Sequence, residues 1–148
     1  MRRSKIKIFL HLVWATHGRS PWILPEFERA LYRCIGDEAT RFGCEVCAIG
    51  GIEDHVHVIV RFPATVELSK VLQAMKGTSS HFARDHFPRT DVGCGWQDGY
   101  GAFSISPSQL QKAIDYVLNQ KQRHAKGKLW DSFEQTSEES PPKPSSCP

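Results

Sequence analysis

Two pairs of residues in this chain have types and spacing suited to chemistry: His55 and His57, separated by one valine, and Tyr116 and Gln120, four positions apart. In an extended apolar run, positions i and i+2 share one face of a strand. On a helix, positions i and i+4 share one face. Brought together, the four residues supply two imidazoles, a side-chain amide and a phenol. That is part of a coordination sphere for a divalent cation, with a nucleophile beside it. A cation that accepts imidazole and is still hard enough for oxygen is Mg²⁺ or Mn²⁺ rather than structural zinc. Its open positions would take phosphate oxygens and offset the charge developing there. A tyrosine next to such an ion can attack phosphorus and hold a strand covalently. The phenol normally keeps its proton to about pH 10, so the metal or basic surroundings must assist. The plainer alternative is a half-buried strand with two satisfied histidines and a helix with an interfacial tyrosine.

The elements that would position these residues follow from periodicity. Residues 6–16 alternate as a half-buried strand. Pro25 can open a helix that Gly43 stops, with Phe27, Leu31, Cys34, Ile35 and Phe42 at helical spacing. Residues 45–52 and 56–62 are β-rich and flank Glu53-Asp54, as in a hairpin. Asp54 is then either a turn aspartate or a carboxylate behind a ligand. A second helix begins near Val66, passes Met75 and is bounded by Pro88. Residues 96–106 read as a loop leading into a short strand, and Pro107 starts a third helix ending near Gly127. The order β-α-β-β-α-β-α is met most economically by a split βαβ arrangement of class α+β. Four antiparallel strands carry two helices on one face, and the C-terminal helix with the tyrosine is extra.

Phase assigns faces. Val56, Val58, Val60 and Phe62 form an apolar side that suits the two core helices, so His55, His57, Ile59 and Arg61 fall on the opposite, open side. His11 could share that side from another strand, although a structural role suits it better alone. On the third helix Leu110, Ile114, Val117 and Leu118 form the expected packing stripe, with Tyr116 and Gln120 on its flank. Lys112 and Arg123 stand close to them and would make a phosphate seat. Lys76, Ser80 and Arg84 share a stripe of the second helix suited to backbone phosphates. Trp96 and Tyr100 could stack unpaired bases or fill a sheet edge.

A chain of 148 residues with 40% hydrophobic and 24% charged residues is sized and composed for one globular domain. No apolar run approaches a membrane span and no signal peptide is visible. Five cysteines, an odd number, fit a reduced cytoplasmic protein, and Cys44-x-x-Cys47 lacks a second pair at zinc spacing. Residues 131–148 carry four acidic residues and one lysine, so a whole-chain charge of +3 leaves +6 on residues 1–130. That basic surplus is compatible with nucleic acid. The tail is rich in Pro, Ser and Glu without periodicity and reads as disordered, which sets the expected division at 1–130 and 131–148.

In one order the chain carries Gly50-Gly51-Ile52-Glu53-Asp54 before the two histidines, Lys76-Gly77-Thr78-Ser79-Ser80, Trp96-Gln97-Asp98-Gly99-Tyr100-Gly101-Ala102-Phe103-Ser104, and Tyr116-x-x-x-Gln120. This resembles the single-tyrosine HUH transposases of small bacterial insertion sequences, including the REP-associated tyrosine transposases, over about residues 6–126. The resemblance implies a ferredoxin-like or RRM-like domain that forms a homodimer. It implies cleavage and rejoining of single-stranded DNA at hairpin-marked ends. His55, His57 and Gln120 match the metal ligands, and Tyr116 the nucleophile that becomes a 5′-phosphotyrosine. It further implies that the tyrosine helix of one subunit can complete the other's site. Two other classes compete: an RRM-like nucleic-acid binding module without catalysis, or a domesticated relative, and a phosphodiesterase that uses water.

Overall fold

Alternation in the first apolar run builds both sides of the sheet. In β1 (Phe9–Ala15) Leu12 and Trp14 enter the larger hydrophobic cluster, while Phe9 belongs to a second one. The computed structural model describes residues 4–87, 95–127, 129–130 and 133–136. β2 (Glu45–Ile52) and β3 (His55–Arg61) form a hairpin across Glu53-Asp54, and β4 (Gly101–Ile105) completes a four-stranded sheet of order β2-β3-β1-β4. Every pairing is antiparallel. This is the expected split βαβ sheet.

α1 (Pro25–Arg41) has proline in its first turn with Glu26 and Glu28, where negative charge suits the helix dipole. It buries Leu31, Ile35 and Ala39. α2 (Leu68–His86) buries Val71, Leu72, Met75 and Ala83. Both contribute to one cluster with Leu12, Trp14, Val56, Val58 and Val60 of the sheet. Pro88, expected to bound α2, lies outside the described residues.

The other face is where the structure departs from expectation. It is not open: α3 (Leu110–Leu118) packs there, Ala113 and Val117 joining Phe9, Ala48, Ile59 and Ile105. The expected third helix is also divided. A 3₁₀ turn at Pro107–Gln109 precedes α3, and Asn119 (φ −104°, ψ 21°) separates it from α4 (Gln120–Lys126). Gly127 ends α4 in the left-handed region at φ 66°. Leu118, expected in the packing stripe, is 60% exposed, whereas Tyr116, expected on its flank, is fully buried. The buried line is Ala113, Tyr116, Val117 and Gln120, at i, i+3, i+4 and i+7, so Leu118 lies one residue past the seam.

Gly50 makes this seam possible. A Cβ there would fall on the backbone carbonyl of Val117, so only glycine lets the end of α3 approach β2 this closely. The expected tail boundary at residue 130 likewise divides residues that touch the fold. Phe133 packs on the second cluster, and the Gln97 Nε2 amide donates to the Thr136 carbonyl at 2.6 Å. Residues 137–148 lie outside the described residues. Among the described residues, no helix is long and apolar enough to cross a membrane.

Candidate active site

Strand β3 presents His55 and His57 to the face beneath α3, and each imidazole is held from behind. His55 Nδ1 lies 2.7 Å from Asp54 Oδ1, and its Nε2 lies 3.3 Å from Gln120 Oε1. His57 Nδ1 lies 2.8 Å from His11 Nε2, with the two rings stacked 8° from parallel at 5.0 Å. The Nε2 of His57 is buried without a hydrogen-bond partner. Holding one ring nitrogen from outside and aiming the other inward is how proteins orient metal-binding histidines. The two alternatives for Asp54 therefore merge: it occupies the hairpin turn and also holds His55. His11, on β1 across from Ile59, is completely buried and backs His57.

Tyr116 and Gln120 reach the same place despite the break at Asn119. Gln120 Nε2 makes a long contact of 3.5 Å to the Tyr116 carbonyl, and its Oε1 faces His55. Tyr116 Oη donates to Glu134 Oε1 at 2.5 Å and accepts from the Trp130 amide at 3.0 Å. Its ring lies edge-on to His57, with centroids 6.2 Å apart. Tyr116 and these histidines stand together within one chain. Burial and the Glu134 carboxylate push the phenol up to about 12.

Two members of the cluster were not foreseen in the sequence. His124 follows Gln120 by one helical turn, and its Nε2 lies 3.0 Å from Gln120 Oε1. Glu134, within the expected tail, places Oε2 at 3.2 Å from His55 Nε2 and 3.4 Å from His57 Nε2. Its Oε1 lies 3.6 Å from His124 Nε2. The i+4 spacing from Gln120 could have revealed His124. Nothing in the composition of residues 131–148 singles out Glu134.

The electrostatics follow from burial and these partners. Burial alone would lower His55, but the Asp54 and Glu134 carboxylates raise it to about 9. Burial holds His57 below the usual histidine range and lowers His11 to about 3. Burial works against ionisation of Glu134, yet the His55 and His57 imidazoles facing it hold its carboxyl well below the usual range.

The residues expected on phosphate diverge. Lys76 Nζ donates to the Gln97 and Gly99 carbonyls at 2.7 and 2.9 Å, so it holds a loop rather than standing free on a helix stripe. Ser79 Oγ accepts from Trp96 Nε1 at 2.9 Å. Trp96 packs edge-on against Trp14, which makes it a core aromatic rather than an open stacking surface. These contacts interlock the two glycine-containing motifs. Ser80 lines a groove of about 440 Å³ with Lys76 and Tyr100, and Arg84 is exposed further along α2. Lys112 is exposed, with Nζ 5.3 Å from the Trp130 ring centroid, and the Arg123 guanidinium lies 4.8 Å over the Tyr116 ring.

The donors suit a divalent cation: imidazole nitrogens, an amide oxygen and a carboxylate converge in a buried site, and one imidazole nitrogen lacks a partner. Among the described residues, the one group of His, Cys, Asp and Glu side chains close enough to hold an ion is His55, His124 and Glu134. That group leaves out Cys44 and Cys47, and it also leaves out His57, whose Nε2 approaches Glu134 Oε2 at 3.4 Å.

Known proteins agree with this architecture. The family described as "Transposase IS200 like" matches residues 4–120. The crystal structure of a candidate transposase from Deinococcus radiodurans R1 is 25% identical, with a TM-score of 0.65 over 80% of this chain and 98% of that one. A REP-associated tyrosine transposase bound to a REP hairpin is 17% identical and shares the fold, with a TM-score of 0.61 over 87% of this chain and 74% of that one. No curated protein sequence matches the chain. With the family match spanning most of its length and the same sheet beneath its histidines, this chain belongs to the IS200-like transposase family.

Proposed function

We propose that this transposase is a metal-dependent single-stranded DNA transesterase, with Tyr116 as nucleophile and His55, His57 and Gln120 as ligands of Mg²⁺ or Mn²⁺. One observation carries the reading. A single carboxylate, that of Glu134, lies 2.5 Å from Tyr116 Oη and 3.2 and 3.4 Å from the Nε2 atoms of His55 and His57. A phosphate has a similar reach and would span the same nucleophile and ligands.

The cation, when bound, would polarise the scissile phosphate and offset charge on its oxygens. The chain does the rest. Asp54 and His11 keep the two imidazoles oriented. The Trp130 amide donates to Tyr116 Oη and favours its ionised form. Once the phenolic proton is lost to solvent, an Oη electron pair forms the bond to phosphorus. The bond from phosphorus to the 3′ oxygen breaks, and that oxygen takes a proton. The downstream strand is left as a 5′-phosphotyrosine, and attack by another 3′ hydroxyl rejoins DNA by the reverse route. Ser80, Arg84, Lys112 and Arg123 would meet the DNA backbone, with Lys76 shaping the adjoining loop. Hairpin-marked ends are inferred from the likeness to the hairpin-bound transposase. A homodimer would carry two such sites, and the Tyr116 helix of one subunit could complete the site of the other. The domain would end beyond residue 130 and include the segment bearing Glu134.

With Mn²⁺ and a hairpin-bearing single strand, the protein should form a denaturation-resistant DNA adduct. Tyr116→Phe should abolish it and still bind the strand, since only the phenolic oxygen is lost. An undiminished adduct would eliminate Tyr116, and cleavage without any adduct would indicate attack by water.

A further inference from the structure

The site offers more donors than the three assigned to the metal, and their spacing has meaning. Gln120 Oε1 lies 3.3 Å from His55 Nε2 and 3.0 Å from His124 Nε2. Glu134 Oε2 lies 3.2 Å from His55 Nε2 and 3.4 Å from His57 Nε2, and its Oε1 lies 3.6 Å from His124 Nε2. Two ligands about 2.1 Å from one ion and at right angles stand about 3.0 Å apart. Neighbouring donors here stand 3.0–3.6 Å apart, at or somewhat beyond that figure. Hydrogen bonding alone does not explain the cluster, because the His57 Nε2 has no hydrogen-bond partner.

We propose that His124 and Glu134 are two further ligands of the same cation, and that Glu134 holds the position a substrate phosphate oxygen must take. Three imidazoles, one amide and one carboxylate then supply five donors, leaving at most one open position in an octahedral sphere. The carboxylate also supplies the one negative charge among them, which a buried dication requires. Its attachment differs from that of the others. His55 and His57 lie in an inner strand of the sheet, and Gln120 and His124 share α4. Glu134 comes from a short segment held by Phe133 against His11, at 4.5 Å between ring centroids, and by Gln97 on Thr136. Because Glu134 also receives the Tyr116 hydrogen bond, it lies between nucleophile and ligands, where phosphorus has to arrive. Exchange of its carboxylate for phosphate would free Tyr116 Oη in the same movement.

This inference rests on the proposed metal site, and Mn²⁺ binding to the full chain tests it apart from activity. Affinity and the relaxation of water protons by bound Mn²⁺ are measured for wild type, Glu134→Ala, Glu134→Gln and His124→Ala. Loss of a ligand should weaken Mn²⁺ binding by roughly tenfold or more. It should also raise relaxation as water enters the vacated position. Inorganic phosphate should reduce that extra relaxation in Glu134→Ala and have less effect on wild type. The inference is overturned if these variants match wild type in affinity and relaxation while His55→Ala and His57→Ala abolish binding. In that case the three-ligand site stands without them. If His55→Ala and His57→Ala also leave Mn²⁺ binding unchanged, the metal reading itself fails, and this inference with it.

Discussion

His11 and His57 form a pair in which each ring dictates the state of the other. If His57 Nε2 presents its electron pair to an ion, its proton sits on Nδ1 and is donated to His11 Nε2. The proton of His11 is then on Nδ1, which is buried without a partner. His11→Phe would fill similar space but leave the His57 Nδ1–H unsatisfied, at a cost of about 1–3 kcal/mol. It should also weaken Mn²⁺ binding on the order of 10–100-fold, the usual consequence of losing the group behind a ligand. His11→Gln, which keeps an acceptor, should recover part of both losses. Urea denaturation and Mn²⁺ titration measure them, and a His11→Phe protein equal to wild type in both would show that His11 only fills space. At this scale the sequence was legible where spacing encoded a face. His55, His57, Tyr116 and Gln120 converge as their periods require. His11 shares the histidine face, but its partner is set by strand register, which one strand's pattern cannot report. Glu134 reaches the site by a route that no period describes.

The elements are where short-range pattern and tertiary packing disagree. Strand and helix positions followed alternation and helical spacing closely, including the hairpin at Glu53-Asp54. The C-terminal helix did not, because its docking depends on a glycine 67 residues before its contact at Val117. Contact with Gly50 sets which side of α3 is inward and therefore places Tyr116 rather than Leu118 beneath it. Gly50→Ala would set a methyl group against the Val117 carbonyl, and α3 would have to shift. Overpacking of this kind costs about 1–3 kcal/mol. The larger effect should be on chemistry, since a shift of about 1 Å in a reacting group can cost on the order of a hundredfold in rate. Adduct formation by folded Gly50→Ala should fall by about that factor while thermal denaturation remains cooperative. Wild-type adduct yield would show that α3 tolerates the displacement.

For the whole molecule, the buried histidines make stability depend on pH in two opposite ways. His11 is lowered to about 3, and His57 and His124 are also lowered by burial, against about 6.5 in an unfolded chain. Below pH 6.5 the unfolded chain therefore takes up protons that the native protein refuses, and stability falls with pH. His11 alone contributes about 1.4 kcal/mol per pH unit well below 6.5. His55, raised to about 9, acts the other way. Its contribution is fully present below 6.5 and is lost as pH rises through 9. Metal-free protein should thus be most stable near pH 6.5, with lower denaturation midpoints at pH 5 and at pH 9. Equal midpoints at pH 5 and 6.5 would mean that these imidazoles are not held neutral.

Strand β3 serves two faces at once, and this has a genetic consequence. Val56, Val58 and Val60 belong to the cluster under α1 and α2, while His55 and His57 face the chemistry. Lesions in alternate codons then have different fates. A polar replacement at 56, 58 or 60 removes the protein by unfolding it, which is a recessive loss. On the proposed function, a replacement at 55 or 57 would leave an intact particle that still occupies DNA without cutting it. Such an allele would act dominantly, since its product competes with active copies for the same ends.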